Sequence, residues 1–156
     1  MDKGDEVYRN GIFVFNIRRM VEYLKEHQDQ ITPEIIHVKE SRNVFLKPNE
    51  DHINTTDITI PIILAEISPG RYNVIDGNHR LEKAYRSNVE TILAYKLSPE
   101  LHMPFLTSVR AYHAYIDFWN TKLKTSIQYS GGKLSSTEKR IMSLNRKHVK
   151  TLTVSA

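Results

Sequence analysis

The stretch from Ile58 to Leu97, ITIPIILAEISPGRYNVIDGNHRLEKAYRSNVETILAYKL, decides the fold of this chain. Its first ten residues, ITIPIILAEI, are rich in β-branched side chains and predict a strand over 58–67. Ser68-Pro69-Gly70-Arg71 follows as a tight turn, with proline setting φ at about −65° in the second place and glycine supplying the positive φ in the third. Tyr72, Asn73, Val74 and Ile75 return as a second strand, so the two form a hairpin. After Asp76-Gly77-Asn78-His79-Arg80, the residues Leu81, Ala84 and Tyr85 fall at helical spacing, and Glu82 and Arg86 are placed for an i,i+4 pair. Asn88 closes that helix in a left-handed conformation, and Val89 to Leu97 is the next strand. Strand, turn, strand, helix, strand makes a small mixed sheet of the α+β class.

Upstream, Ile12 to Phe15 read as a strand or extended entry to an amphipathic helix, whose apolar positions are Ile17, Met20, Val21 and Leu24. Residues 28–30 end it. Ile35, Ile36 and Val38 read as a short strand, and residues 39–56, with Pro48 and mixed charges, as a loop anchored by Val44 and Leu46. Downstream, a long helix starting near Thr107 or Ser108 carries Val109, Tyr112, Ile116, Trp119 and Leu123 on one apolar face. Gly131-Gly132 then breaks the chain. Ser135-x-x-Glu138 is a capping box that opens a last, basic helix to about Lys147. The organisation expected is therefore one domain over residues 1–130, with helices at both ends packing over the sheet, and a basic linker and helix over 131–156.

A chain of 156 residues with 40% hydrophobic and 26% charged side chains suits one globular domain. Having no cysteine, it excludes disulfides, thiolate metal sites and cysteine nucleophiles. No segment reaches the roughly 20 apolar residues of a membrane span, and the start MDKGDEVYRNG lacks the layout of a signal peptide, so a soluble, cytoplasmic protein is expected. The net charge of +4 is unevenly spread. Residues 133–156 hold six basic side chains against one acid, a net +5, whereas the other 132 residues hold 16 basic and 17 acidic ones. The body is near neutral, and any contact with nucleic acid would fall to the tail.

Chemistry concentrates in Asp76-Gly77-Asn78-His79-Arg80, where a strand hands over to a helix. A helix N-terminus offers unpaired N–H groups and a partial positive charge, which suit a phosphate. Gly77 would let the backbone approach the ligand, Asn78 and His79 would give backbone N–H groups, and Arg80 a charge-assisted contact. His79 can donate to a phosphate or move a proton near neutral pH. Asp76 can cap the helix or hold a magnesium ion through water. An ordinary capping turn is the structural alternative, as is an internal ion pair between Arg80 and Asp76.

At these residues the sequence resembles the ParB-like and sulfiredoxin-like superfamily, whose core is a strand pair, a Gly-x-x-Arg or Gly-x-His-Arg box opening a helix, and a further strand. Gly77-Asn78-His79-Arg80 matches the box, and the resemblance covers residues 58–98 closely and 34–100 more loosely. It implies a small mixed sheet and a nucleotide at the box; the flanking helices at 17–27 and 107–124 are not explained by it. Sulfiredoxins carry a cysteine where this chain has Asn78, so sulfiredoxin chemistry is excluded. ParB clamps carry two arginines in the box and a helix-turn-helix behind it, whereas here His79 replaces the first arginine and residues 101–156 hold no such motif. Free-standing relatives with an Asp-Gly-x-His-Arg box include a nucleotide-dependent kinase of free serine, and others are labelled nucleases. The resemblance thus implies binding of ATP or another nucleotide with Mg2+, and a phosphotransferase or phosphohydrolase in which Asp76 and His79 are catalytic. The competing expectation is a non-catalytic DNA-associated or regulatory module.

His102 and His113 lie at no recurrent metal-ligand spacing with His79, so no metal site is expected. Tyr112, Tyr115, Phe118 and Trp119 would stack on bases in a single-strand binder, but Tyr112 and Trp119 lie on the apolar stripe of their helix, which makes them core. The Gly131-Gly132 joint predicts that deleting residues 133–156 leaves the melting temperature of the body unchanged. A large fall would place the last helix in the core.

Overall fold

The computed structural model describes residues 6–10, 13–42 and 49–129. Two strands, β1 (Val7–Asn10) and β2 (Phe13–Asn16), pair antiparallel and run into α1 (Ile17–Glu26), whose N-terminus is capped by the Asn16 side chain accepting from the Arg19 N–H at 3.1 Å. Next come β3 (Glu34–His37), α2 (Val38–Ser41) and α3 (Glu50–Thr55). The centre of the chain forms β4 (Ile62–Ser68), β5 (Arg71–Asp76), α4 (Asn78–Arg86) and β6 (Thr91–Leu97). Then α5 (Pro99–His102) and a 3-10 turn over Met103–Phe105 lead to α6 (Val109–Tyr129).

The main sheet has the order β3-β6-β4-β5. The Ser68–Arg71 turn makes β4 and β5 antiparallel, and Gly70 takes φ = 70° as that turn requires. Helix α4 then carries the chain back over β4 to β6, which lies parallel to β4. This is the expected α+β architecture, with a small mixed sheet and helices at both ends of the chain packed over it.

β4 is buried along its whole length because both of its faces are covered. On one face Ile63, Ala65 and Ile67 meet Phe13, Phe15, Met20, Leu24, Trp119 and Leu123, so α1 and α6 share a core with the β1–β2 hairpin. On the other, Ile62, Leu64, Val74, Ile92 and Ala94 pack beneath Leu81 and Ala84 of α4 and Val38 of α2. Tyr115 is buried with Trp119, which extends the stripe read from the sequence, and Phe118 packs against the edge of the same core.

Three local readings are corrected. The strand expected from Ile58 begins at Ile62: Asp57 accepts both the backbone N–H and the hydroxyl of Thr59, at 2.9 and 2.7 Å, which folds residues 57–60 into a turn, and Pro61 has no N–H to give a ladder. Val38 opens α2 rather than ending a strand. The loop expected over 39–56 contains α2 and α3; Asn49 caps α3 by accepting from the Asp51 N–H at 3.0 Å, and Glu50 and Asp51 suit the first turn. Val44, Leu46 and the basic segment over 131–156 lie outside the described residues. Among the described residues no helix is long and apolar enough to cross a membrane.

A bulge in β4 between Glu66 and Ser68 turns the Glu66 carbonyl out of the ladder and into the first core. There it accepts from His102 Nε2–H at 2.9 Å and from the Tyr115 hydroxyl at 2.8 Å. Burial pushes the His102 imidazole down from 6.5 to about 4. The unfolded chain therefore binds a proton near pH 6.5 that the folded chain refuses until about pH 4, so stability is full above that window and falls as pH drops through it. The expected loss is about 3 kcal/mol, read by urea unfolding at pH 7 and pH 4. His102→Gln should lose that much less over the same interval, and equal losses would assign the acid sensitivity to other groups.

Candidate functional site

The sequence expects a site where β5 hands over to α4. Gly77 is the residue preceding that helix, at φ = 91°, and the Leu81 N–H donates to its carbonyl at 3.0 Å to close the first turn. No side chain caps this N-terminus, and its first turn holds no acid. The backbone N–H groups of Asn78, His79 and Arg80 therefore stand at the positive end of the helix dipole without the cap that Asn16 gives α1 or Asn49 gives α3.

Asp76 does not cap the helix. Its Oδ2 accepts from the Arg80 guanidinium at 2.5 Å, so the ion pair weighed as an alternative is formed, and it offsets the misplaced cation in the first turn. Arg80 is 15% exposed at its side chain, and its Nε–H is buried without a hydrogen-bond partner. Gly77 also has a packing role that the sequence reading does not include. A Cβ there would stand 2.5 Å from Ile62 Cγ2 and 2.8 Å from the Arg80 terminal nitrogen. Glycine is needed to seat α4 on β4 and to let Arg80 fold back over the turn to Asp76.

His79 faces α3. Its Nε2 accepts from the Asn49 N–H at 3.3 Å, which leaves the proton of a neutral ring on Nδ1, and its ring centre lies 5.3 Å from that of His52. Asn49 and His52 thus join the box from a part of the chain that the sequence reading leaves as loop. The signal available was Asn49-Glu50-Asp51, a helix start.

Among the described residues, Glu82, Arg42, Arg86 and Glu50 around α4 are paired. Glu82 accepts from Arg42 Nε–H at 2.8 Å and from Arg86 Nε–H at 2.9 Å, and these two arginines hold its carboxyl below the usual carboxylate range. Arg86 also makes a two-pronged contact with Glu50 at 2.6 and 2.9 Å. Arg42 stacks 4.1 Å above the Tyr85 ring, and Lys83 donates to the Thr56 carbonyl at 2.7 Å. This network clamps α2 and α3 onto α4 and occupies Arg42, Lys83 and Arg86.

The histidines set aside as metal ligands are separate: His102 is buried on the other side of the sheet from α4, and His113 is exposed on α6. Among the described residues no three His, Asp or Glu side chains converge as a metal centre. A groove of about 400 Å³ is lined by all four residues of β3, by Glu40 and Ser41 of α2, and by Leu64, Gly70, Tyr72 and Lys96. Lys96 there is 3.0 Å from Glu34 and sits over the Tyr72 ring, so its charge is already answered. Comparison of the chain with protein-family models, with curated proteins and with solved structures finds no match.

Gly77→Ala should cost about 2–4 kcal/mol, because positive φ and a clash with Ile62 add. Gly70→Ala has open space around the new methyl and should cost only about 1 kcal/mol. Urea unfolding of the two variants checks this, and equal losses would show that close packing on Ile62 is not the constraint.

Proposed function

We propose that this protein binds the phosphates of a nucleotide at the N-terminus of α4, and that it is a domain of the ParB/sulfiredoxin-like kind. The observation that carries the reading is an uncapped N-terminus with a histidine and an arginine in its first turn, preceded by a carboxylate. Helices capped by their own side chains have spent that electrostatic potential; this one has not.

The backbone N–H groups of Asn78, His79 and Arg80 bind a phosphate, and the Nδ1–H of His79 supplies a further donor. Arg80 must turn part of its fork from Asp76 to the anion, and the buried Nε–H without a partner is the donor that gains most. Asp76 keeps one carboxylate oxygen clear of the ion pair, which fits a water-bridged contact to a magnesium ion held mainly by the nucleotide's own phosphates. When bound, that ion would neutralise phosphate charge. Asp76 and His79 are the residues that would support phosphoryl transfer or hydrolysis, Asp76 by positioning and His79 by taking or giving a proton. Catalysis of this kind is mostly placement and charge neutralisation.

A thermal-shift series with nucleoside mono-, di- and triphosphates, with and without Mg2+, tests the proposal. A ligand at 100 times its dissociation constant stabilises a fold by about 2.7 kcal/mol. At least one nucleotide should do so, Arg80→Lys should bind it more weakly because a point charge cannot copy a fork, and Asp76→Asn should lose the Mg2+-dependent part. No shift with any nucleotide would reject the reading.

A further inference from the structure

We propose that the contact between His79 and Asn49 is a pH-sensitive clasp, which holds the start of α3 against α4 while the imidazole is neutral and releases it when the imidazole takes a proton. His79, Lys83 and Arg86 stand at i, i+4 and i+7 of α4, so they form one stripe along that helix. All three fasten α3 or the residue that follows it. Arg86 grips Glu50 at 2.6 and 2.9 Å, Lys83 donates to the Asn54 and Thr56 carbonyls at 3.1 and 2.7 Å, and His79 Nε2 accepts from the Asn49 N–H at 3.3 Å.

Of these fastenings only one responds to pH near neutrality. Lysine and arginine keep their charge well above neutral pH, whereas imidazole changes charge between about pH 5 and pH 8. A neutral His79 with its proton on Nδ1 offers Nε2 as an acceptor. A charged one carries a proton on both nitrogens and meets the Asn49 N–H with a second donor. The bond is therefore made above the imidazole's range and lost below it.

The surroundings act in the same direction. The new charge arises in the first turn of α4, at the positive end of its dipole, next to Arg80 and with Lys83 one turn further on. A second imidazole, His52, lies 5.3 Å away, ring centre to ring centre. The acids of these elements are Glu50, Glu82 and Asp76, which Arg86, Arg42 and Arg80 hold, and Asp51 in the first turn of α3. Asn49 transmits the loss, because its side chain caps α3 at the Asp51 N–H and its carbonyl accepts from the Ile53 N–H at 3.1 Å. Ile53, 2% exposed, keeps the middle of the helix seated, so the start is the part released. A charged ring freed from Asn49 has both N–H groups to turn toward the box; that consequence rests on the anion reading of the box, whereas the release of α3 does not.

Hydrogen exchange of the full chain without ligand, expressed as protection relative to an unstructured chain at the same pH, tests the clasp. Between about pH 8 and about pH 5 the protection of the Ile53 amide should fall about fivefold, the worth of one hydrogen bond of modest net strength. His102, held down to about 4, does not gain its charge in this interval. His79→Gln, whose amide oxygen accepts from Asn49 at either pH, should be equally protected at both. His113→Gln, changed on α6, should lose protection as the parent does. Parent protection that ignores pH, as it would if Asp51 took up the imidazolium, would overturn the proposal. So would a loss in His79→Gln equal to the parent's, or none in His113→Gln.

Discussion

Everything at the candidate site depends on one backbone position, Gly77, which is held at φ = 91° with Ile62 too close for any side chain. That geometry ends β5, starts α4 and presses the new helix onto β4 in a single residue. It also deprives α4 of a capping side chain, since glycine has none to offer. An uncapped helix start is an electrostatic consequence of a packing constraint. The arginine three residues on and the aspartate one residue before then meet across the turn as an ion pair, which in the function proposed above would give way in part to an anion.

Two clamps on opposite faces of β4 tie the surrounding helices together. Above it, Glu82 gathers Arg42 and Arg86, and Arg86 reaches on to Glu50, so the two short helices preceding β4 are tied to α4. Below it, the bulge at Glu66 frees one carbonyl to accept from His102 and Tyr115, which fixes α5 and α6 to the same strand. The Glu66 carboxylate takes the Gly70 N–H at 2.8 Å on the other face, and burial there raises it above the usual carboxylate range. One strand residue thus connects the hairpin turn, the groove and the first core.

Elements defined by local pattern were legible in the sequence: the hairpin with its Pro-Gly turn, α1, α4 closed at Asn88, whose φ is 55°, and α6 with its apolar stripe. The box residues were legible as a group, because glycine, histidine and arginine at a strand-to-helix junction suit one chemistry. What escaped depended on contacts distant in sequence or on competition between local signals. β-branched Ile58 and Ile60 looked like strand, but the Asp57–Thr59 turn and Pro61 outweighed them. Asn49 and His52 reach His79 only through the folding of α3 against α4. The Arg80–Asp76 pair was readable as a possibility, but only the close fit of Gly77 against Arg80 shows why it forms.

The central claim is that the start of α4 is an anion site. The most direct measurement is a titration of the isotopically labelled protein with pyrophosphate and Mg2+, followed through its backbone amide resonances. The account predicts saturable shifts that are largest at Asn78, His79 and Arg80, with the Arg80 side-chain Nε–H moving alongside them. Shifts spread over surface lysines without saturation, or none at these three amides, would contradict it.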